Sequence, residues 1–259
     1  MTSQPSSERV RRPPPAFRPL SVNQSVPLTP CMVRVTLAGP ELAGFPMPEP
    51  AASVRLLIPS SGDSRLIMPE WNGNEFLLPD GQRPIIRTFT PRFFRPEINE
   101  LDIDVVIHEG GAVSTWAASA SAGDPAAISG PGVGYSFDPA ASMFLLAGDE
   151  TALPAIAHLL EALPEAIPVH ALIEIAHPDA RMELPMHPQA TIDWLELPEG
   201  EAPGTTLVNA MEQAEIADGT RLWLAGEAAA MHKIRQNLFK VRGLPRSDAT
   251  VRGYWKKRN

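Results

Sequence analysis

One stretch of the chain combines basic, hydroxyl and aromatic side chains at a spacing that could bind a flat anionic ligand. Residues 85–94 are rich in β-branched and aromatic side chains, which predicts a β-strand. The side chains of this strand that could do chemistry are Arg87, Thr88, Phe89, Thr90 and Arg92. Because side chains alternate between the two faces of a strand, both faces are expected to carry polar groups. A guanidinium beside an aromatic ring suits a ring system with negative charge.

A second segment has the features of a phosphate site. A strand predicted at 101–107 ends at His108, and two glycines follow it before a short helix at 113–119. That helix opens with the side chains of Ser114, Thr115 and Trp116. Free N–H groups at a helix start, with hydroxyls and glycines nearby, suit a phosphate or pyrophosphate. Taken singly, each piece is better explained by a solvated strand face or a helix N-cap; their occurrence together and in order favours binding.

The elements around these segments predict two domains. Residues 17–140 carry short strands and turn signals, which is typical of a small antiparallel barrel, and six strands are expected. Residues 141–259 alternate strands with helices, which indicates a mostly parallel sheet. Residues 1–16 are polar and rich in proline, and are expected to form a flexible arm. The fold class is therefore β plus α/β, with the boundary near residue 140.

Ligands of open parallel sheets bind at the carboxyl ends of the strands. Two loops are expected there, Gly148–Thr151 and Gly226–Ala228, each at the start of a helix. Asp149 or Thr151 could also serve only as a helix cap.

Five segments together resemble the siderophore-interacting proteins, which are ferredoxin-reductase-like flavoproteins. Residues 87–92 look like the flavin signature R-x-Y-T-x-R, and residues 108–117 look like the segment that holds the FAD pyrophosphate. The resemblance continues at 147–156, 223–228 and 253–256, so it spans nearly the whole chain.

The resemblance implies an FAD-binding barrel followed by an NAD(P)H-binding α/β domain. It implies that the cofactors are bound by Arg87, Thr88, Phe89, Thr90, Arg92, Val106, His108, Ser114, Thr115, Trp116, Asp149, Thr151, Ala152, Glu227 and Trp255. It places the substrate near Arg55, Arg252, Lys256 and Lys257. The flavin carries the redox chemistry, so no catalytic acid or base is assigned.

Three positions depart from the family pattern. Phe89 stands where relatives have a tyrosine, so a hydroxyl is lost although the ring remains. Thr115 and Gly132 stand where relatives commonly have arginine. With two basic positions missing, a hydroxamate or α-hydroxycarboxylate siderophore is expected rather than a highly anionic tricatecholate.

Composition excludes several other classes. The net charge of −8 argues against a nucleic-acid partner, and the single cysteine, Cys31, excludes an internal disulfide. The six histidines have no metal-ligand spacing, so no protein metal site is expected. No apolar run is long enough to span a membrane, and no signal pattern begins the chain. A cytoplasmic monomer with no membrane partner is expected.

The sequence thus predicts an NAD(P)H-dependent reductase that releases Fe(II) from a ferric siderophore or ferric chelate. A flavoprotein with a protein electron acceptor and a siderophore carrier that reduces nothing are the alternatives. The choice of nicotinamide is open: Arg181 could bind the 2′-phosphate of NADPH, whereas Glu174 and Asp179 would oppose it. NADPH is favoured.

Overall fold

A computed structural model describes residues 14–257 of the chain. The arm predicted at 1–16 therefore lies outside the described residues up to position 13. Residues 14–17 have no regular secondary structure and lead into the first strand.

The amino-terminal half is one antiparallel sheet with a short helix and a small hairpin. Its strands are β1 (Arg18–Thr29), β2 (Met32–Ala38), β3 (Val54–Ile58), β6 (Ile85–Phe89), β7 (Pro91–Arg95), β8 (Glu100–Val106) and β9 (Pro125–Ser129). The hairpin pairs β4 (Glu70–Trp71) with β5 (Phe76–Leu77), and helix α1 spans Ala112–Ser119. The order across the sheet is β6-β3-β9-β1-β2-β8-β7.

The sheet has seven strands, whereas six were predicted. The strand predicted at 85–94 is two strands that meet at Thr90, because Pro91 lacks an N–H and restricts the residue before it. These strands, β6 and β7, lie at opposite edges of the sheet, with only Thr90 between them. The sheet must therefore curl until its edges meet, which makes it a barrel.

The barrel core follows from alternation along its strands. Val35 lies opposite Ile103, and Leu37 lies opposite Leu101, and all four side chains are fully buried. Directly opposed residues share a face of the sheet, so each pair fills the barrel interior together.

The carboxyl-terminal half is a five-stranded parallel sheet between helices. Its elements are β10 (Met143–Asp149), α2 (Leu153–Ala162), β11 (Val169–Ile175), β12 (Ala190–Glu196), α3 (Thr205–Gln213), β13 (Thr220–Glu227), α4 (Ala228–Gln236) and β14 (Ala249–Trp255). The strand order is β12-β11-β10-β13-β14. The chain winds outward in both directions from β10, so the sheet has a switch point between β10 and β13, where such folds bind ligands.

Apolar side chains cover both faces of this sheet. Ile156 and Leu159 of α2 belong to one buried cluster, and Leu207 of α3 and Ile234 of α4 belong to another. The helix predicted at 228–241 ends earlier, at Gln236, and a π-helical turn over Asn237–Val241 follows. The predicted fold class, an antiparallel barrel followed by a parallel α/β sheet, is confirmed. Within residues 14–257, every helix is too short or too polar to cross a bilayer.

Candidate functional site

The predicted binding strand lies where the barrel meets the α/β sheet. The side chain of Thr90 lies next to the phenol of Tyr254 on β14, where it opposes the rise that burial causes in the pKa of Tyr254. The guanidinium of Arg92 makes two hydrogen bonds to the carboxylate of Glu161 on α2, at 2.9 and 2.8 Å. We call this contact between residues 90–92 and the elements α2 and β14 the seam. Thr90 and Arg92 are buried there, so two of the predicted binding residues join the two halves of the molecule.

The other residues of the same strand face outward. Arg87 and Thr88 are exposed, and the only polar contact that the structure gives Arg87 is local, from Nη1 to the carbonyl oxygen of Ile86 at 2.7 Å. Arg55 lies directly opposite Thr88 on β3 and is also exposed. Phe89 is half-buried and packs against the barrel core. Because side chains alternate along a strand, Arg87 and Phe89 share one face of β6 beside the seam, and Thr88 and Arg55 share the other.

The loop after β8 is closed by one serine. The Ser114 hydroxyl accepts a hydrogen bond from the N–H of His108 at 2.6 Å and donates to its carbonyl oxygen at 2.8 Å. Ser114 is buried, and the imidazole of His108 is exposed and folds over Gly111. A Cβ at Gly111 would lie 2.4 Å from Cε1 of His108, so a larger residue there would displace the exposed imidazole. Ser114 therefore closes the loop, and Gly111 leaves room for the imidazole above it.

The loop delivers the start of α1 to the surface. The N-cap residue is Gly111, which offers no side chain to the helix, and Thr115 donates the first N–H bond of the helix, to the carbonyl oxygen of Gly111 at 2.8 Å. The amides before Thr115 belong to the first turn, whose N–H groups have no partner within the helix. Thr115 is exposed beside them, whereas Trp116 packs against the barrel core. Val106, at the end of β8, packs instead against the core cluster of the α/β half.

Asp149 ties together the carboxyl ends of three parallel strands. Its Oδ1 accepts hydrogen bonds from the N–H of Thr151 at 2.9 Å and from the hydroxyl of Thr151 at 2.5 Å. Its Oδ2 accepts from the N–H of Glu227 and from the indole N–H of Trp255, both at 2.8 Å. Burial raises the pKa of Asp149, and these four donors oppose that shift. Each oxygen of the carboxylate therefore accepts two hydrogen bonds from within the protein.

Two further carboxylates hold helix starts at the same edge. Glu227 accepts from the N–H groups of Ala229 and Ala230 at the start of α4, at 2.6 and 2.9 Å. Glu174 accepts from the N–H groups of Gly204 and Leu207 at the start of α3, at 2.5 and 2.9 Å. Both side chains are buried, and burial raises the pKa of Glu174. The sheet edge is thus a rigid frame of carboxylates and amides.

Glycines at this edge let the backbone approach neighbouring side chains closely. A Cβ at Gly226, where φ is +158°, would lie 2.7 Å from Oδ2 of Asp149. A Cβ at Gly148 would lie 2.4 Å from the Cβ of Ala152, which is itself fully buried. The segments predicted as loops at 148–151 and 226–228 are largely the buried ends of β10 and β13, which lie side by side.

The predicted substrate residues do not form one cluster. Lys256 and Lys257 are exposed beyond the end of β14, and the N–H of Lys257 lies 3.4 Å from Oε1 of Glu227. Arg252 lines a cavity farther back along β14. Arg181, the candidate for the 2′-phosphate, forms an exposed ion pair with Glu196 at 2.6 Å.

Sequence reasoning missed the residues whose role depends on a distant partner. Tyr254 and Glu161 complete the seam, and neither was singled out. Glu174 was considered only as an obstacle to a 2′-phosphate, although a lone acid within the apolar strand β11 is a signal for a buried, hydrogen-bonded carboxylate.

The barrel side of the site fits FAD. A flavin dinucleotide needs an aromatic or apolar contact for its ring and donors for its pyrophosphate. Phe89 could supply the ring contact, and the exposed guanidinium of Arg87 with the first amides of α1 could supply donors. The exposed imidazole of His108 lies over Gly111 in that loop.

Two family profiles match the chain. The profile described as siderophore-interacting FAD-binding domain matches residues 21–135, and the profile described as siderophore-interacting protein matches residues 141–258.

Individual proteins are similar over nearly the full length. A solved siderophore utilization protein from T. fusca is 37% identical to this chain, with a TM-score of 0.84. The match covers 96% of this chain and 95% of that chain. The ferric vibriobactin reductase ViuB of Vibrio cholerae is 30% identical over 233 residues, which are 87% of this chain and 84% of ViuB. A ferredoxin NADP+ reductase from Neisseria gonorrhoeae, solved with FAD and NADP, is 13% identical with a TM-score of 0.63 over 93% of this chain and 99% of that chain. This last likeness shows a common fold.

Proposed function

This chain belongs to the siderophore-interacting protein family, as its motifs predicted, and from that premise we propose that it is an FAD-dependent reductase of ferric siderophores that draws on NAD(P)H. The observation that carries the proposal is the seam. It brings the exposed polar side chains of the flavin strand next to the strand ends of the α/β sheet, through the contacts of Arg92 with Glu161 and of Thr90 with Tyr254. A flavoprotein reductase needs this neighbourhood, because its two ligands must meet.

The barrel side would hold FAD. Phe89 and Thr90 would contact the ring, and Arg87 and Thr88 would bind the adjoining polar part. The first amides of α1, with Thr115 beside them, would bind the pyrophosphate. When bound, FAD supplies the chemistry that couples a two-electron donor to a one-electron acceptor.

Five of the residues assigned to FAD would position the site without touching the ligand: His108, Ser114, Trp116, Val106 and Arg92. Ser114 and His108 shape the loop, Trp116 and Val106 fix it to the two cores, and Arg92 holds the barrel against α2. Of the residues assigned to FAD by resemblance, these are expected to position the site rather than to donate to the ligand.

The sheet side would receive the nicotinamide. The carboxylate of Asp149 accepts hydrogen bonds from Glu227 and Trp255 on the two neighbouring strands. We expect these three residues to hold the segments at 148–152 and 226–228 in place. Thr151 and Ala152 belong to the first of these segments. NADPH is favoured over NADH, because the guanidinium of Arg181 is exposed and its partner Glu196 could be displaced by a phosphate.

The substrate would be a ferric siderophore of modest negative charge. Arg55, Lys256 and Lys257 are exposed cations near the two sides of the site, whereas Thr115 and Gly132 supply no charge. Iron(II) binds hard oxygen ligands more weakly than iron(III), so reduction would release it. The expected cytoplasmic location and monomeric state stay predictions.

Absorbance of the purified protein tests the proposal. The protein should bind FAD, its flavin band should bleach anaerobically with NADPH or NADH, and the band should recover on adding a ferric siderophore as Fe(II) forms. No binding of added FAD would overturn the proposal in favour of a carrier that reduces nothing. Flavin that bleaches but is reoxidised by no ferric chelate would point to a protein acceptor.

A further inference from the structure

The carboxylate of Glu150 lies at the end of a neighbouring strand and not at the end of its own. Glu150 follows β10 directly and is half-buried. Its Oε1 accepts a hydrogen bond at 2.7 Å from the N–H of Ala176, the residue that follows β11. Among the hydrogen bonds within residues 14–257, this is the one that reaches the Glu150 side chain. One oxygen is thereby fixed at the carboxyl end of β11, and the carboxylate keeps acceptor capacity for a ligand.

The carboxyl end of β11 corresponds to the place where dinucleotide-binding sheets hold the adenosine ribose. In such sheets an acid at the end of the second strand accepts hydrogen bonds from the ribose hydroxyls. The acid of β11 itself is Glu174, which is buried and already accepts from the N–H groups of Gly204 and Leu207. Glu150 is therefore the carboxylate that the fold brings to this place with an oxygen to spare.

The surroundings of Glu150 leave room for a ligand. The segment 176–179, which follows β11, is exposed. On the barrel side lies the turn between β1 and β2: burial raises the pKa of Cys31 in that turn, and the nearby charge of Glu150 adds to the rise. Burial also raises the pKa of Glu150, and the N–H of Ala176 opposes this shift. The carboxylate thus lies in a recess between the barrel turn and the end of β11.

A cation approaches the end of β11 from the other side. Ile175 pairs with Glu196 on β12, and Glu196 is the partner of the exposed Arg181. Glu174 pairs with Asp149 on β10, the residue before Glu150. Neighbouring strands lie about 4.8 Å apart. A ribose at the end of β11 would therefore meet a carboxylate from the β10 side and a guanidinium from the β12 side.

We propose that Glu150 binds the adenosine ribose of the nicotinamide dinucleotide and opposes a 2′-phosphate, so that it limits the preference for NADPH that Arg181 provides. This role rests on the proposed function and deepens it, because it names a residue that sets the choice of dinucleotide. An ionised carboxylate accepts charge-assisted hydrogen bonds from the ribose hydroxyls of NADH. The 2′-phosphate of NADPH would bring like charge close to the same oxygens, and repulsion at that separation outweighs one hydrogen bond.

Binding of ADP-ribose and of 2′-phospho-ADP-ribose tests this role apart from turnover. Neither compound carries a nicotinamide ring, so calorimetric titration of the full chain as purified measures binding without electron transfer. A mildly alkaline buffer keeps the carboxylate ionised. Glu150→Gln keeps the length of the side chain and an acceptor oxygen for Ala176. It should weaken the binding of ADP-ribose about 5- to 10-fold, the size expected when a charge-assisted hydrogen bond becomes a neutral one.

The same variant should tighten the binding of 2′-phospho-ADP-ribose by a similar factor, because the repelling charge is gone. Opposite shifts distinguish a specificity residue from damage to the fold, which would weaken the binding of both compounds. Glu165→Gln is the matched control: it removes the same charge from an exposed position before β11, at the opposite end of the sheet, and should change neither titration. Shifts of both compounds in one direction would overturn the proposal, as would a wild type that binds neither.

The same samples separate this role from the proposed function. Bleaching of the flavin by NADPH or NADH reports the reductase, and the two titrations report the ribose site. A chain that shows the opposite shifts but is not bleached would retain the ribose site and lose the reductase. A chain that is bleached but binds both compounds independently of Glu150 would retain the reductase and lose the role of Glu150.

Discussion

On the sheet side of the seam the polar side chains are buried and saturated, whereas on the barrel side Arg87 and Thr88 stand exposed with few internal partners. Asp149 alone accepts four hydrogen bonds from within the protein. A group whose bonds are all internal can shape a site but has little left to offer a ligand. The contrast therefore separates residues that build the site from residues that bind, although the same family motifs contain both.

Among the variants that test this contrast, Asp149→Asn should have the largest effect. An amide nitrogen would face donors that now point at a carboxylate oxygen, so buried N–H groups would lose their acceptor. We expect the free energy of unfolding to fall by about 3 kcal/mol, since bonds to charged groups contribute about 1.5–3 kcal/mol each. Denaturant titration of the FAD-free protein measures the change.

Asp193→Asn is the matched control for that experiment. Asp193 is exposed and pairs with His170 at 2.7 Å, and such surface pairs contribute about 0–1 kcal/mol. If the two variants lose equal stability, Asp149 does not hold the strand ends together as the geometry indicates.

Arg87→Ala tests the exposed barrel side, and we expect it to weaken FAD binding without lowering stability. Among residues 14–257 the one polar contact of the guanidinium is a neighbouring carbonyl, so its loss should leave unfolding unchanged. The dissociation constant for FAD should rise about 30- to 100-fold, which corresponds to roughly 2–3 kcal/mol for a charge-assisted contact. Flavin fluorescence during titration of the FAD-free protein gives this constant.

Arg83→Ala provides the control for the exposed side. Arg83 is exposed and pairs with Glu75 at 2.6 Å next to the β4–β5 hairpin, two residues before β6. Its replacement should leave both stability and FAD binding unchanged, because exposed ion pairs contribute little. An Arg87→Ala protein that binds FAD normally but unfolds more easily would reverse the roles assigned to the two sides.

The contrast also explains how far the sequence could predict the molecule. Alternation along β2 and β8 was visible in the chain, because inward residues such as Val35 and Leu37 recur at every second position. Pro91 is a local signal for the break at Thr90, but the placement of β6 and β7 at opposite edges of the sheet depends on closure of the whole barrel. The bond between Asp149 and Trp255 joins residues 106 positions apart, and no local pattern encodes such a pair. The motif residues could be named from the sequence. Whether each side chain faces a ligand or another element of the protein could not be predicted.

A smaller effect is expected at Arg181, which is exposed like Arg87 but already has a partner. Arg181→Ala should raise the KM for NADPH about tenfold, or roughly 1.4 kcal/mol, and leave the KM for NADH unchanged. Glu196→Gln should lower the KM for NADPH, because it frees the guanidinium from its 2.6 Å ion pair. Equal effects of Arg181→Ala on both nicotinamides would contradict the preference proposed for NADPH.

The smallest effect concerns the pH dependence of stability on the saturated side. Burial raises the pKa of Glu174 above its ordinary value of 4.5, so the folded protein holds this proton more tightly than the unfolded chain does. The stability that this proton contributes is fully present below pH 4.5 and is lost as the pH rises through the higher pKa of the folded state. Glu174→Gln carries no titrating group, and its amide oxygen can still accept one of the two N–H bonds at the start of α3.

The difference in unfolding free energy between wild type and Glu174→Gln should therefore shrink as the pH rises from 4.5. Each unit by which the folded pKa is raised corresponds to about 1.4 kcal/mol of that change. Urea titrations of both proteins across this range measure it, and Asp193→Asn serves again as a variant of an exposed carboxylate. A difference that grows with pH would mean that the two amides stabilise the ionised carboxylate by more than burial disfavours it. Glu174 would then be a helix cap whose charge strengthens the frame, and the saturated side would draw stability from ionised rather than neutral carboxyl groups.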